Sequence, residues 1–198
     1  KPVSCADWRS LRRMAEIDGR CLLSVPTLGE ILRDHGLQMV SAGSGSPGTT
    51  YLTNPTVSGP IVNWAVSWPE SMAEEMARRY DAPLPAESTS SQRNRLAVEA
   101  LCDLLVPDNA PDVAVLWLTE PDHTQHYHGL GSPEARQMLA ELDALLQEPT
   151  SRLGRLAPEG LTFFLLSEGY LSADWQMNRT ESDAFKLVMN LLFYTTDL

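Results

Sequence analysis

Apolar residues recur along this chain with two different periods, and the periods predict helices that alternate with short strands. Apolar positions three or four residues apart indicate amphipathic helices, while short continuous apolar runs indicate buried strands. Helices are predicted over residues 10–19, 26–36, 70–80, 92–106, 132–147 and 183–194, and strands over residues 37–42, 112–119 and 161–166. This alternation predicts an α/β fold, a three-layer sandwich with a mostly parallel sheet.

Local signals place several element boundaries. Thr27 and Glu30 have the spacing of a capping box at the start of the second predicted helix, and Gly36 supplies its stop. Pro107 predicts that the helix over 92–106 ends just before it. The uninterrupted apolar run at 112–119 is typical of a strand in a parallel sheet that is covered on both faces.

The segment Gly43–Gly48 has the spacing G-x-G-x-x-G of a dinucleotide-binding loop. Such a loop requires a helix to begin inside it, because the helix N-terminus binds the pyrophosphate. Pro47 and the polar stretch Thr49–Pro55 predict an extended loop instead. The sequence therefore does not predict a dinucleotide site here.

Length and charge limit the possible functions. The 198 residues, of which 43% are hydrophobic and 21% charged, are enough for one globular α/β domain over residues 1–198. The net charge of −11 argues against nucleic acid as a partner, since binding a phosphate backbone requires clustered Lys and Arg. A small anionic substrate would then need a metal ion or a local basic pocket.

Cysteine spacing and apolar run lengths argue against a thiolate zinc site and a membrane-spanning helix. Cys5, Cys21 and Cys102 form no C-x-x-C pair, which argues against zinc held by thiolates. No apolar run approaches the roughly 20 residues of a membrane-spanning helix, and the N-terminal residues do not have the pattern of a secretory signal. Because the chain does not begin with Met, we expect it to be processed, trimmed or part of a longer protein.

The main candidate for chemistry is a histidine-rich segment that directly follows the predicted strand over 112–119. Three of the four histidines, His123, His126 and His128, lie within six residues of one another. In open α/β sheets, ligands bind beyond the carboxyl ends of the strands, where this segment is expected. The spacing of Asp122 and His126 lets a carboxylate and an imidazole reach one ion from a turn, and such mixed ligands suit zinc or a similar divalent metal.

The block Asp112–Glu134 resembles the type I phosphodiesterase/nucleotide pyrophosphatase family of the alkaline phosphatase superfamily. In that family a strand leads into a Pro-Asp-x-x-x-His turn, which is followed by a glycine and a helix. Three other stretches, Pro26–Glu30, Ser44–Gly48 and Arg93–Val98, are similar to the same family. The likeness extends over about residues 8–166, and residues 170–198 have no counterpart.

The resemblance implies an incomplete alkaline phosphatase-like fold, two zinc-like ions, and hydrolysis of phosphodiester or pyrophosphate bonds through a phosphorylated Thr or Ser. The substrate would be a small phosphorylated molecule such as a nucleotide. Asp122 and His126 would ligate the metal that assists the attacking water and steadies the transition-state oxygens. His123 and His128 would orient these ligands or contact the substrate, unless they are simply exposed loop residues.

The chain also departs from the family pattern. Where the family has Asp-His-Gly as ligands of the second metal, this chain has Ser167-Glu168-Gly169, in which Glu168 offers only an oxygen. No histidine follows His128, although the family completes its first ligand set with a later one. Nothing before His35 matches the nucleophile motif, so the catalytic residue is unknown and enzyme activity is not decided by the sequence.

The residues and the resemblance together leave three interpretations open. The chain is part of a metal-dependent phosphodiesterase or pyrophosphatase, or a non-catalytic relative that acts as a binding or interaction domain, or an acidic α/β domain whose histidine-rich turn merely caps a strand. The aromatic residues Tyr51, Trp64, Trp68 and Tyr80 are either a base-stacking surface for a nucleotide or core anchors.

Overall fold

The computed structural model describes residues 4–17, 22–23, 25–56 and 58–156. The helices are α1 (Trp8–Ile17), α2 (Leu28–Asp34), α3 (Pro47–Leu52), α4 (Glu70–Tyr80), α5 (Ser90–Ala100), α6 (Val106–Asn109), α7 (Asp122–His128) and α8 (Pro133–Leu156), and a π-helical segment (Leu101–Leu105) joins α5 to α6. The strands are β1 (Met39–Gly43), β2 (Ile61–Asn63), β3 (Ser67–Trp68) and β4 (Val113–Trp117). The strand and helix that the sequence predicts over 161–166 and 183–194 lie outside the described residues, as does Glu168.

The chain divides into two compact units, Lys1–Thr119 and Glu120–Leu198. The first contains the sheet, and the second contains α7 and α8. One domain over residues 1–198 stays a prediction. In the part of the chain that the structure describes, no helix has the length and apolar composition that crossing a bilayer requires.

The sheet of the first unit is mixed and mostly parallel, with the strand order β3-β2-β1-β4. Strand β1 runs parallel to both β2 and β4, while β3 pairs antiparallel with β2. All residues of β1 and β2 are buried, and α2, α3 and α5 pack on β1. Because successive side chains of a strand point to opposite faces, this burial means that β1 is covered on both faces. The predicted α/β class with a mostly parallel sheet is confirmed.

Strand β4 differs from its prediction. Ala114 and Trp117 are exposed, with 46% of the Trp117 surface accessible. Among the described strands, β4 pairs only with β1 and forms an edge of the sheet. The expectation that this strand is covered on both faces is therefore wrong for the described residues, because an apolar run does not reveal whether a strand is central or at an edge.

The capping box at the start of α2 is confirmed. The Glu30 backbone N–H donates to Thr27 Oγ1 at 3.2 Å, and the Thr27 N–H donates to Glu30 Oε2 at 2.7 Å. Gly36 follows the helix with a φ of +74°, the left-handed conformation that favours glycine after a helix end. The local signals thus set both ends of α2.

Replacing the cap of α2 is expected to have a measurable cost. We predict that Thr27→Ala lowers the free energy of unfolding by about 1 kcal/mol, since it leaves the Glu30 N–H without its side-chain acceptor. Urea denaturation of the variant and the parent measures the difference. The exposed Thr56 is a matched control, and an equal loss for Thr56→Ala would contradict the predicted role of the cap.

The helix predicted to end before Pro107 continues past it. The backbone widens at Leu101–Leu105, where the Val106 N–H donates to the Leu101 carbonyl five residues back, and Pro107 lies in the first turn of α6. Proline has no N–H to donate to the carbonyl of Asp103 four residues earlier, and Arg79 Nη1 donates to that oxygen at 3.4 Å. The π-helical turn and a side chain from another helix therefore accommodate a proline that the sequence pattern treats as a stop.

The extended loop predicted after Gly43–Gly48 is also wrong, because helix α3 begins at Pro47. Ser46 caps this helix by accepting the Thr49 N–H on its Oγ at 3.2 Å, and proline in the first turn is compatible with a helix start. The Gly48 N–H donates to the carbonyl of Ala6 at 2.9 Å. These N–H groups already have protein acceptors, so a dinucleotide phosphate is still not indicated, for a different reason.

The histidine-rich segment forms a short helix, α7, rather than the predicted turn. Helix α8 starts with Pro133 in its first turn, as predicted, and the Ala135 N–H donates to Ser132 Oγ at 3.1 Å. It continues to Leu156, past the predicted end at residue 147. Helices α7 and α8 contact each other within the second unit.

Candidate functional site

Helix α7 places the two predicted metal ligands side by side. Asp122 is its first residue, and residues four apart lie on the same face of a helix. Asp122 Oδ1 lies 3.4 Å from His126 Nε2, and the two side chains are 71% and 75% exposed. The carboxylate and the imidazole therefore converge at the surface, where an ion from solvent has access to both.

The separation of the two atoms can be compared with what a metal ion requires. Bonds of about 2.1 Å to a carboxylate oxygen and about 2.0 Å to an imidazole nitrogen, at the tetrahedral angle, place the two ligand atoms about 3.4 Å apart. Asp122 Oδ1 and His126 Nε2 have this separation. The donor types and the spacing thus fit half of a tetrahedral zinc site.

The rest of a ligand set is not assembled in the described part of the chain. Within residues 4–17, 22–23, 25–56 and 58–156, no three His, Cys, Asp or Glu side chains come together as a metal site would need. The predicted oxygen ligand Glu168 lies outside these residues. Asp122 and His126 are therefore a two-ligand pair in the described structure.

The side chains of the other two histidines of α7, His123 and His128, form no ion pair with Asp122 or His126 in the described structure and lie in different environments. His123 packs its ring against Tyr127, with 4.8 Å between the ring centroids, and its Nδ1 lies 3.4 Å from Glu120 Oε1. His128 is exposed at the last position of the helix. Roles of these two side chains in supporting the ligands or contacting a substrate stay predictions.

Glu120 is the residue that sequence reasoning did not single out. Its side chain has no exposed surface, and its Oε2 accepts the Thr124 backbone N–H at 2.9 Å. Its Oε1 is buried and has no hydrogen-bond partner. An acidic residue just before a helix is favoured by the helix dipole, and this signal could have drawn attention to Glu120.

In the first unit, Asn63 connects the chain segments that follow β1 and β2. Its Nδ2 lies 3.0 Å from the carbonyl oxygens of both Gly43 and Gly45 and 2.8 Å from Thr50 Oγ1. Its Oδ1 accepts the Ala65 N–H at 3.1 Å. Asn63 is 1% exposed, so it is a buried structural hub at the carboxyl end of the parallel strands.

The aromatic side chains considered for base stacking are packing anchors where their contacts are described. Tyr51 and Trp68 pack with Trp8, with ring centroids 5.1–6.5 Å apart, and burial raises the pKa of the Tyr51 phenol. Trp64 donates from Nε1 to the Gly45 carbonyl at 2.8 Å and lies under the guanidinium of Arg93 at 3.8 Å. These contacts occupy the rings of Tyr51, Trp64 and Trp68 and favour the core-anchor interpretation.

The chain was compared with protein-family models, curated proteins and solved structures. The family model described as Type I phosphodiesterase / nucleotide pyrophosphatase matches residues 18–175, a range that includes the sheet and all of α7. A search of curated proteins found no match, and a search of solved structures found none either.

Proposed function

Because this chain belongs to the type I phosphodiesterase/nucleotide pyrophosphatase family, we propose that it contributes a metal-binding site to the hydrolysis of phosphodiester or pyrophosphate bonds. The family match covers residues 18–175 of the 198-residue chain. The family's activity is hydrolysis of the phosphodiesterase or pyrophosphatase type, and its substrates are of the nucleotide type. The metal, its ligands and turnover by this chain are the new parts of the proposal.

The observation that carries the proposal is the pair Asp122 and His126. The 3.4 Å between Oδ1 and Nε2 is the ligand separation of a tetrahedral ion, and both side chains are accessible. The i,i+4 spacing on α7 brings the two side chains together, and an exposed ion pair of this kind contributes little to folding, so giving it up to bind an ion would cost the fold little. One carboxylate and one imidazole favour zinc over magnesium, which prefers oxygen ligands.

The bound metal would polarise a phosphoryl oxygen and assist the attacking water. Asp122 would hold the cation with a negatively charged oxygen, and His126 would hold it with the Nε2 lone pair of a neutral imidazole. The chain carries a net charge of −11, which opposes the approach of a phosphate. A cation at this pair would reverse the local sign of charge, and a small phosphorylated substrate such as a nucleotide could then bind.

A chromogenic phosphodiester tests the proposal. With zinc or manganese present, we expect the 198-residue chain to hydrolyse bis(p-nitrophenyl) phosphate, and Asp122→Ala to reduce the rate by at least about 100-fold, because removal of a ligand costs more than removal of a supporting residue. The exposed Glu134 of α8 is the matched control, and Glu134→Ala should retain the parent rate.

Two outcomes would overturn parts of this proposal. Turnover that survives Asp122→Ala would exclude this pair as the metal site. Zinc binding without any turnover would overturn catalysis by this chain and favour a non-catalytic relative that acts as a binding domain.

A further inference from the structure

A buried carboxylate, Glu120, lies two residues before the first ligand of the proposed metal pair. The Glu120 side chain is fully buried, yet Oε1 has no hydrogen-bond partner. An unsatisfied buried carboxylate oxygen is costly to stability, by about 1–3 kcal/mol or more. An apolar side chain at this position would avoid that cost, but it could neither accept the Thr124 N–H nor face the His123 ring with a charge.

Glu120 contacts two parts of the first turn of α7. Its Oε2 accepts the Thr124 N–H at 2.9 Å, and Oε1 lies 3.4 Å from His123 Nδ1. The cap position of α7 is Pro121, which makes no side-chain hydrogen bond to the helix. Glu120, one residue earlier, thus supplies the acceptor that a cap residue normally provides.

The start of α7 matters for the metal pair because the helix is short. It has seven residues, and short helices are marginal without capping or packing. Asp122 is the first residue, so fraying of this turn would move its carboxylate away from His126. The hydrogen bond that Glu120 accepts from the Thr124 N–H would oppose such fraying and so help to keep the pair at its 3.4 Å separation.

We propose that Glu120 is a positioning residue for the Asp122–His126 pair, acting through the first turn of α7 and the His123 ring. This inference rests on the proposed metal site. Groups that hydrogen-bond directly to metal ligands commonly change metal affinity 10–100-fold when they are removed, and we expect Glu120 to act within this range through the helix that carries both ligands. Glu120 touches neither Asp122 nor His126 in the contacts described, so its effect would be on geometry and not on the number of ligands.

Isothermal titration with zinc separates this role from a purely structural one. Glu120→Gln keeps an oxygen for the Thr124 N–H but removes the charge that faces His123, and we expect about 10-fold weaker zinc binding. Glu120→Ala removes both contacts, and we expect about 100-fold weaker binding. Faster hydrogen exchange of the Thr124 amide in Glu120→Ala, and not in Glu120→Gln, would report the loss of the cap.

Two controls separate weaker zinc binding from a loss of folded protein. Glu134→Gln should bind zinc like the parent. Every titration is made well below the melting temperature of the variant, so that unfolding does not lower the measured zinc affinity. Should Glu120→Ala fail to fold, Glu120→Gln alone decides. Unchanged zinc affinity in a folded Glu120 variant would overturn the positioning role alone, whereas a parent chain that binds no zinc would overturn the proposed metal site and this inference with it.

Discussion

Zinc is expected to raise the melting temperature of this chain, and Asp122→Ala or His126→Ala to remove most of that increase. A ligand that binds only the folded state at 100 times its dissociation constant adds about 2.7 kcal/mol of stability. For a chain of this size that corresponds to roughly 5–10 °C. Each variant leaves one ligand of the pair whose atoms lie 3.4 Å apart, and one ligand does not hold the ion.

Differential scanning fluorimetry with zinc, manganese, magnesium and metal-free buffer measures this effect. His35, the one histidine outside α7, is the matched control for His126, and His35→Ala should keep the zinc-induced increase. A parent chain stabilised no more by zinc or manganese than by magnesium would contradict the proposed site. So would an undiminished increase in both Asp122→Ala and His126→Ala.

Asn63→Ala is expected to lower the free energy of unfolding by roughly 3 kcal/mol. The substitution removes a buried amide whose two N–H groups are shared among three acceptors within 3.0 Å and whose oxygen accepts the Ala65 N–H. Its buried partners, among them the Thr50 hydroxyl, would lose these bonds without gaining water. The loss would loosen the segments that follow β1 and β2.

Urea denaturation compares this variant with Asn109→Ala. Asn109 makes one hydrogen bond, from Nδ2 to the Leu105 carbonyl at 2.8 Å, in a partly buried position. We expect a cost below about 1 kcal/mol for that control. An equal loss of unfolding free energy in the two variants would show that the buried hydrogen bonds of Asn63 do not stabilise the fold as predicted.

The sequence predicted the α/β class because the apolar periods of helices and strands are local. Helix α4 and the two ends of α2 lie where composition and capping residues placed them. These patterns report only local preferences, and for this reason the predictions for β4, Pro107 and α3 were wrong. The edge position of β4 among the described strands depends on which strand pairs with it, and Pro107 is accommodated by the π-helical turn before it and its place in the first turn of α6.

At the candidate site, the spacing of Asp122 and His126 predicted that their side chains could reach one ion, and the structure places the two side chains together. The spacing did not single out Glu120, because the signal for it, an acidic residue just before a helix, is weak and common. Only the structure reveals that this carboxylate is buried, caps α7 and faces His123. Nor could the spacing show that His123 packs on Tyr127 instead of joining the pair.

Anomalous X-ray diffraction at the zinc absorption edge, from crystals grown with zinc, tests most directly whether Asp122 and His126 bind one cation. We predict an anomalous peak about 2 Å from both Asp122 Oδ1 and His126 Nε2. A map without density between these two atoms, or with the two side chains turned away from each other, would contradict the claim.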